Sequence, residues 1–170
     1  MNVFRAIEER RSIRNFTGEV PDEKTVLSII ESGRLAPSAG NRQPYRFVVV
    51  WDREKIRKIA EASMNFLKKA GVVIVGVAKP RESPKWYPVD TAIALEHMVL
   101  AAQALGLGTC WIGTFSEEKV KEILKIPEDA TIVAMLGVGY PKLVPSPTSR
   151  KRMEDITYRD EWNKPYTRHR

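Results

Sequence analysis

Residues 90–105 restrict the fold more than any other stretch of this chain. Asp90 can start a helix that runs through Leu105, and Ala92, Ile93, Ala94, Leu95, Met98, Val99, Leu100, Ala101 and Ala102 make it apolar nearly all round. A helix of that kind has to be buried, in a core or against another subunit, and this one is expected to lie at a homodimer interface. Its alanines permit close approach of a neighbour. Glu96 and His97 interrupt the apolar surface, and a lone histidine there reads as a satisfied core or interface group. Val72–Ala78 adds a second constraint. It is a continuous apolar run, as expected of a strand covered on both faces.

The other elements follow from periodicity and caps. Residues 3–10 read as a short helix, then an extended segment reaches a turn at Thr17-Gly18. Val20-Pro21-Asp22-Glu23 has the proline and acids of a helix start; Val26, Ile29 and Ile30 give that helix its apolar stripe, and Gly33 weakens its end. Residues 46–51 read as a β-branched strand. Asp52 caps a helix whose apolar spacing continues through Phe66 and Leu67 to Ala70. Residues 79–87, with prolines at 80, 84 and 88 nearby, form a loop. Residues 109–113 and 131–139 are further strands, separated by a helix from Ser116 to Leu124. Helices alternating with roughly four strands predict an α+β fold, helices on a small mixed sheet. The 170 residues suit one core, so a single domain spanning 1–170 is expected. The alternation over residues 155–162 fits an exposed strand.

No apolar run approaches the ~20 residues of a membrane span. The start of the chain lacks a signal-peptide pattern, so a soluble, cytoplasmic protein is expected. Cys110 is the one cysteine and lies in an apolar segment, as a small core residue would. The formal charge of +7 permits a nucleic-acid partner, but acids are interleaved with the basic residues, and no zinc-finger, RNA-binding aromatic or P-loop pattern is present. A basic balance equally suits anionic small molecules.

Two stretches carry the candidate chemistry. Arg10-Arg11-Ser12-Ile13-Arg14-Asn15-Phe16 places arginine forks, which match phosphate oxygens, around one hydroxyl. Ser12 and Arg14 share a face of an extended segment, Arg11 takes the other, and Arg10 can turn back from the preceding helix. Leu35-Ala36-Pro37-Ser38-Ala39-Gly40-Asn41-Arg42-Gln43-Pro44 is a small, polar loop stiffened by prolines. Together they suit a phosphorylated ligand with a flat polar head. The usual catalytic side-chain sets are missing. The chain has two histidines, His97 and His169, and no metal-ligand or nucleophile-elbow pattern, which favours a cofactor as the agent of any chemistry.

These motifs resemble the opening of the nitroreductase family, the FMN-dependent NAD(P)H oxidoreductases. Residues 89–115 are similar to that family's central helix and following strand, and residues 134–162 to its last core strand and tail. The resemblance implies a nitroreductase-like mixed sheet flanked by helices in an intertwined homodimer, with the C-terminal segment exchanged onto the partner's sheet. It implies FMN bound by Arg10, Arg11, Ser12 and Arg14, with Pro37, Ser38, Ala39 and Asn41 contacting the flavin held mainly by the other subunit. Gln43 would support Asn41. Ile112 and Gly113 would face the flavin ring through their backbone, and Arg150 with Lys151 or Arg152 would reach the phosphate. The implied activity is hydride transfer from NADH or NADPH, through flavin N5, to an electron-poor acceptor such as a nitroaromatic, a quinone or a flavin. Reductive dehalogenation and flavin fragmentation occur on the same fold and are alternatives. A non-enzymatic flavin-binding protein and a basic nucleic-acid-binding module are the others. The short segment between Ala78 and Asp90 leaves the pocket open, with Trp86 and Tyr87 either lining it or packing at the helix start.

Overall fold

The computed structural model describes residues 1–166; His169, in the basic end of the chain, lies outside them. Five helices, α1 (Val3–Glu9), α2 (Glu23–Arg34), α3 (Arg53–Glu61), α4 (Tyr87–Ala104) and α5 (Glu117–Leu124), accompany four strands, β1 (Tyr45–Val50), β2 (Val72–Ala78), β3 (Gly108–Ile112) and β4 (Thr131–Gly139). The sheet order is β1-β2-β4-β3. All its strand pairs are antiparallel, with Val50 opposite Val73, Val72 opposite Val138 and Gly108 opposite Gly139. Its mixed character comes down to one parallel bridge, Ser12 to Thr109, along the outer side of β3.

β2 shows why the sequence needs both layers. Val73, Val75 and Val77 enter one core with Ile56, Ile59, Leu67, Val120 and Met135. Val72 and Ile74 enter the other with Val26, Ile29, Leu95, Met98 and Val99. A strand with no polar residue thus has no exposed face, and every residue of β2 is buried. α4 lies over the sheet between α1 and α2, with Ala94, Leu95, Met98, Val99 and Ala102 buried. At Gly76 a methyl group would stand 2.7 Å from Leu95, so glycine lets α4 approach the sheet.

Several sequence expectations need correction. α3 stops at Glu61, because Ala62 and Ser63 close it, and Asn65–Lys69 form a separate 3-10 helix that carries Leu67 into the core. α4 begins at Tyr87 rather than Asp90, with Pro88 in its first turn, where the missing N–H costs nothing. Pro80–Glu82 form a 3-10 turn within the expected loop. Gly33 stands one residue before the end of α2, as read from the sequence, and it has a second role: it is buried, and a methyl group there would run into Met98 and stand 3.1 Å from the Ala94 carbonyl, so it sets how closely α2 packs on α4. Residues 155–162 form no strand in the single chain. Met153–Asp155 is a 3-10 turn, Tyr158 bridges Pro165, and left-handed backbone at Asp160 and Asn163 breaks any extended run. Trp162 is 81% exposed. No helix among the described residues is long and apolar enough to cross a membrane.

Candidate functional site

The arginine motif is held by its two apolar members. Ile13 is buried against Gly108, where a methyl group would sit 2.5 Å from the Ile13 side chain. Its N–H donates to the Thr109 carbonyl at 2.8 Å. Phe16 is buried over Gly139, three residues further on. Between these anchors Arg14 and Asn15 remain exposed. The Asn15 carbonyl accepts from the Lys142 N–H at 2.8 Å, and Phe16 bridges Pro141, so the segment after β4 is laid alongside the motif.

That juxtaposition makes a cleft of about 310 Å³ lined by Arg10, Arg11, Ser12, Arg14, Pro145, Ser146, Thr148 and Arg150. Five of the residues singled out in the sequence therefore meet in one place, although Arg150 is more than a hundred positions away in the chain. Arg11, rather than Arg10, turns back on α1: its guanidinium donates to the carbonyls of Glu8 at 2.8 Å and Arg10 at 2.7 Å, satisfying acceptors at the helix end. Arg10 instead faces Glu96 of α4, Nε to Oε1 at 3.9 Å. The other oxygen of that carboxylate accepts from the Trp111 indole N–H at 3.0 Å. Arg150 folds over its own segment, donating to the carbonyls of Thr148 at 3.1 Å and Ser149 at 3.0 Å. Arg14 forms no hydrogen bond or ion pair with any described residue. Arg152 is turned to Asp155 at 3.0 Å and does not line the cleft, so Arg150 is the tail arginine that the single chain brings to the motif.

Ile112 and Gly113 sit at the far end of β3. The Ile112 side chain is buried in the core, leaving only its backbone for a ligand. Gly113 is exposed, with nothing within 4 Å of where a methyl group would stand, so its backbone is open to close approach. Neither residue lines the cleft itself. Cys110, on the same strand, is buried; burial pushes its thiol up, and the nearby charge of Arg14 pulls it partly back.

The second motif folds elsewhere. Pro37, Ser38, Ala39 and Asn41 do not line the arginine cleft. Ala39–Asn41 form a 3-10 turn with left-handed backbone at Gly40 and Asn41. Ser38 Oγ accepts from the Gln43 N–H at 3.0 Å, and Gln43 Nε2 donates to Asn41 Oδ1 at 3.1 Å, the support expected of Gln43. The whole turn hangs on buried Asp90, whose Oδ1 accepts from the Ala39 N–H at 2.9 Å and whose Oδ2 accepts from Ser83 Oγ at 3.2 Å. Nothing in the local pattern of the sequence marked Asp90 or Glu96 as the groups that fix the two motifs. The only signal was their polarity in an apolar helix. His97 reaches the Ser32 carbonyl at 3.3 Å, a satisfied structural role.

Two further clefts lie apart from these motifs or at their margin. One of about 570 Å³, larger than the arginine cleft, lies between α3 and α5 and is lined by lysines and glutamates with Ala62 and Ile123 and none of the motif residues, so size does not mark the site here. Trp86, 43% exposed, lines a smaller one of about 250 Å³ with Arg42, Ser83, Pro84 and Lys85. Trp86 is the N-cap residue of α4 and does not line the arginine cleft, and Tyr87 is half-buried in the first turn of the same helix.

The fold and the cleft define a class: a three-layer α+β protein with an arginine-lined recess at one sheet edge, fitted to an anionic ligand. The chain belongs to the nitroreductase family, whose model matches residues 7–79 and 63–140. It is 37% identical over 148 residues to an Archaeoglobus fulgidus protein named as a candidate NADH dehydrogenase/NAD(P)H nitroreductase, covering 82% of this chain and 85% of that one. A solved nitroreductase family structure from Clostridium novyi NT superposes with a TM-score of 0.80 at 38% identity, over 98% of this chain and 97% of the other. A Bacillus subtilis protein named FMN reductase (NADPH) is 25% identical over 186 residues, 95% of this chain and 75% of the relative.

Proposed function

We propose that this protein is an FMN-dependent oxidoreductase that draws hydride from NADH or NADPH and delivers it to an electron-poor acceptor, a nitroaromatic, a quinone or a flavin. The observation that carries the reading is the cleft itself. It gathers Arg10, Arg11, Ser12, Arg14 and Arg150 with no carboxylate among its lining residues, the donor set a phosphate and a polar ring edge require. Family membership and the names of the relatives support the same cofactor.

The residues present fit FMN. Arg10 and Arg150 hold the phosphate, and Ser12 and Arg11 serve the ribityl hydroxyls. Arg14, exposed and unpaired, reaches the pyrimidine edge, where a cation stabilises negative charge on reduction. The open backbone at Gly113 admits the flat ring. When bound, the flavin supplies the hydride-accepting N5, so no side-chain acid or base is needed. The chain's own work is to hold, orient and balance charge.

A homodimer completes the site in this reading. Pro37, Ser38, Ala39 and Asn41 lie outside the cleft and are free to meet the flavin of the other subunit. α1 exposes Phe4 at 78% and Ile7 at 56%, apolar surface that a second copy would cover. The C-terminal segment, with Trp162 exposed, is the part available for exchange.

The test is an absorbance spectrum of the purified protein followed by anaerobic addition of NADH, then NADPH. Flavin bands that bleach on addition support the reading and identify the donor. A colourless protein that fails to take up added FMN overturns it.

A further inference from the structure

We propose that Glu96 is a positioning residue that aims Arg10 at the phosphate end of the bound cofactor; this rests on the functional reading above. Glu96 projects, partly exposed, from the middle of a largely apolar helix, and its carboxylate engages partners beyond that helix. It has two, from two different elements. Trp111 of β3 donates its indole N–H to Oε2 at 3.0 Å, and Arg10, just past α1, approaches Oε1 with Nε at 3.9 Å.

The geometry assigns different work to the two contacts. The Trp111 bond is short and charge-assisted, so it fixes the carboxylate. The Arg10 contact is long, and both side chains are partly exposed, 25% for Arg10 and 43% for Glu96, so the pair adds little stability on its own. What it sets is direction. Nε is the atom of Arg10 that approaches Glu96, and Arg10 also lines the cleft, so in this proposal its terminal nitrogens serve the anion. Glu96 itself is not among the lining residues. Arg11 is oriented by backbone carbonyls and Arg150 by backbone carbonyls and the Thr148 hydroxyl; among the described residues Arg10 is the cleft arginine that faces a carboxylate.

The discriminating experiment compares FMN with riboflavin, which lacks the phosphate, by titrating apoprotein and following flavin fluorescence. In wild type FMN binds more tightly than riboflavin. Glu96→Ala is expected to weaken FMN about tenfold, the scale of one charged hydrogen bond, and to leave riboflavin within about twofold. Glu96→Gln keeps an acceptor for Trp111 and is expected to lose about threefold for FMN alone. It carries the comparison if the alanine variant does not fold. Equal weakening of both flavins in the variants would show a merely structural role and overturn the proposal, as would unchanged FMN affinity. Wild-type protein that binds neither flavin would instead overturn the functional reading itself, and this proposal with it.

Discussion

Asp90 and Ala39 stand 51 positions apart in the chain and are joined by a 2.9 Å hydrogen bond from the Ala39 N–H to Asp90 Oδ1. Six residues further along the same helix, about 9 Å of rise, Glu96 meets Arg10. α4 therefore makes a carboxylate contact with each motif, a hydrogen bond to the loop through Asp90 and a longer ion pair to Arg10 through Glu96.

Removing the first of these carboxylates should be costly. Asp90 is 3% exposed and also takes the Ser83 hydroxyl, so Asp90→Ala leaves two donors without an acceptor. A loss of ~2–3 kcal/mol is expected, against ~1 kcal/mol for Asp90→Asn, which keeps one acceptor oxygen. Urea denaturation of the three proteins at neutral pH measures both values. A Asp90→Ala protein as stable as wild type would mean that the loop at residues 37–43 is held by other contacts.

Gly108 tests the seat of the arginine motif. A methyl group there would meet Ile13 at 2.5 Å, so Gly108→Ala has to displace Ile13 or the strand. Overpacking of this kind is expected to cost ~1–3 kcal/mol. Because Ser12 and Arg14 flank Ile13, FMN affinity should fall along with the denaturation midpoint. Gly106→Ala is a poor control, since Gly106 has a positive φ of 81°. Gly113→Ala has open space around it and should keep wild-type stability, within about 0.5 kcal/mol, while any effect on flavin binding reports on ring access.

Local chemistry was enough for the features that local chemistry determines. Asp22 and Asp52 cap α2 and α3, each accepting a backbone N–H at 2.9 Å, as their place before an apolar stripe requires. The all-apolar β2 and α4 told of a doubly covered sheet and a buried helix. Arg10, Arg11, Ser12 and Arg14, read from the sequence as one cluster, line one cleft, and the two apolar members of the motif, Ile13 and Phe16, are buried. Long-range relations had no such signature. Gly33 reads as a residue near a helix end, which it is, but its contact with Met98 has no local sign, and the end of α3 at Glu61 is hidden because Phe66 and Leu67 continue the helical spacing through a 3-10 turn. The residues of the two motifs suggested one shared ligand, and only the family resemblance implied that the loop at 37–41 would lie apart from the arginines of its own chain, as it does.

Cys110 gives a prediction in pH. Burial is the main influence and raises its thiol, while Arg14 acts in the opposite sense. With the folded value above the unfolded one, the stabilising contribution is complete below the range of a free thiol, about 8.5, and is lost as pH rises through the folded value. Native protein should therefore react slowly with a thiol reagent at pH 7–8 and rapidly once denatured. Its stability should decline toward alkaline pH more steeply than that of Cys110→Ala. Arg14→Ala removes the lowering influence, so the native thiol of that variant should react more slowly still.

Arg14 is also where stability and function should separate most cleanly. Its side chain is exposed and has no hydrogen bond or ion pair with a described residue, so Arg14→Ala should leave stability within about 0.5 kcal/mol of wild type. Yet the cleft presents it to the ligand, and a cation at the pyrimidine edge acts where charge accumulates on reduction. A fall in FMN affinity of at least about tenfold is expected, with turnover falling further because the reduced form loses more than the oxidised one. The reduction potential of bound FMN should shift downward for the same reason. Spectroelectrochemical titration beside a urea melt measures the two halves of this prediction independently. An Arg14→Ala protein that keeps its flavin, its potential and its turnover would remove Arg14 from the site, leaving Arg10 and Arg150 for the phosphate and Arg11 and Ser12 for the ribityl chain, without a ring contact from the motif.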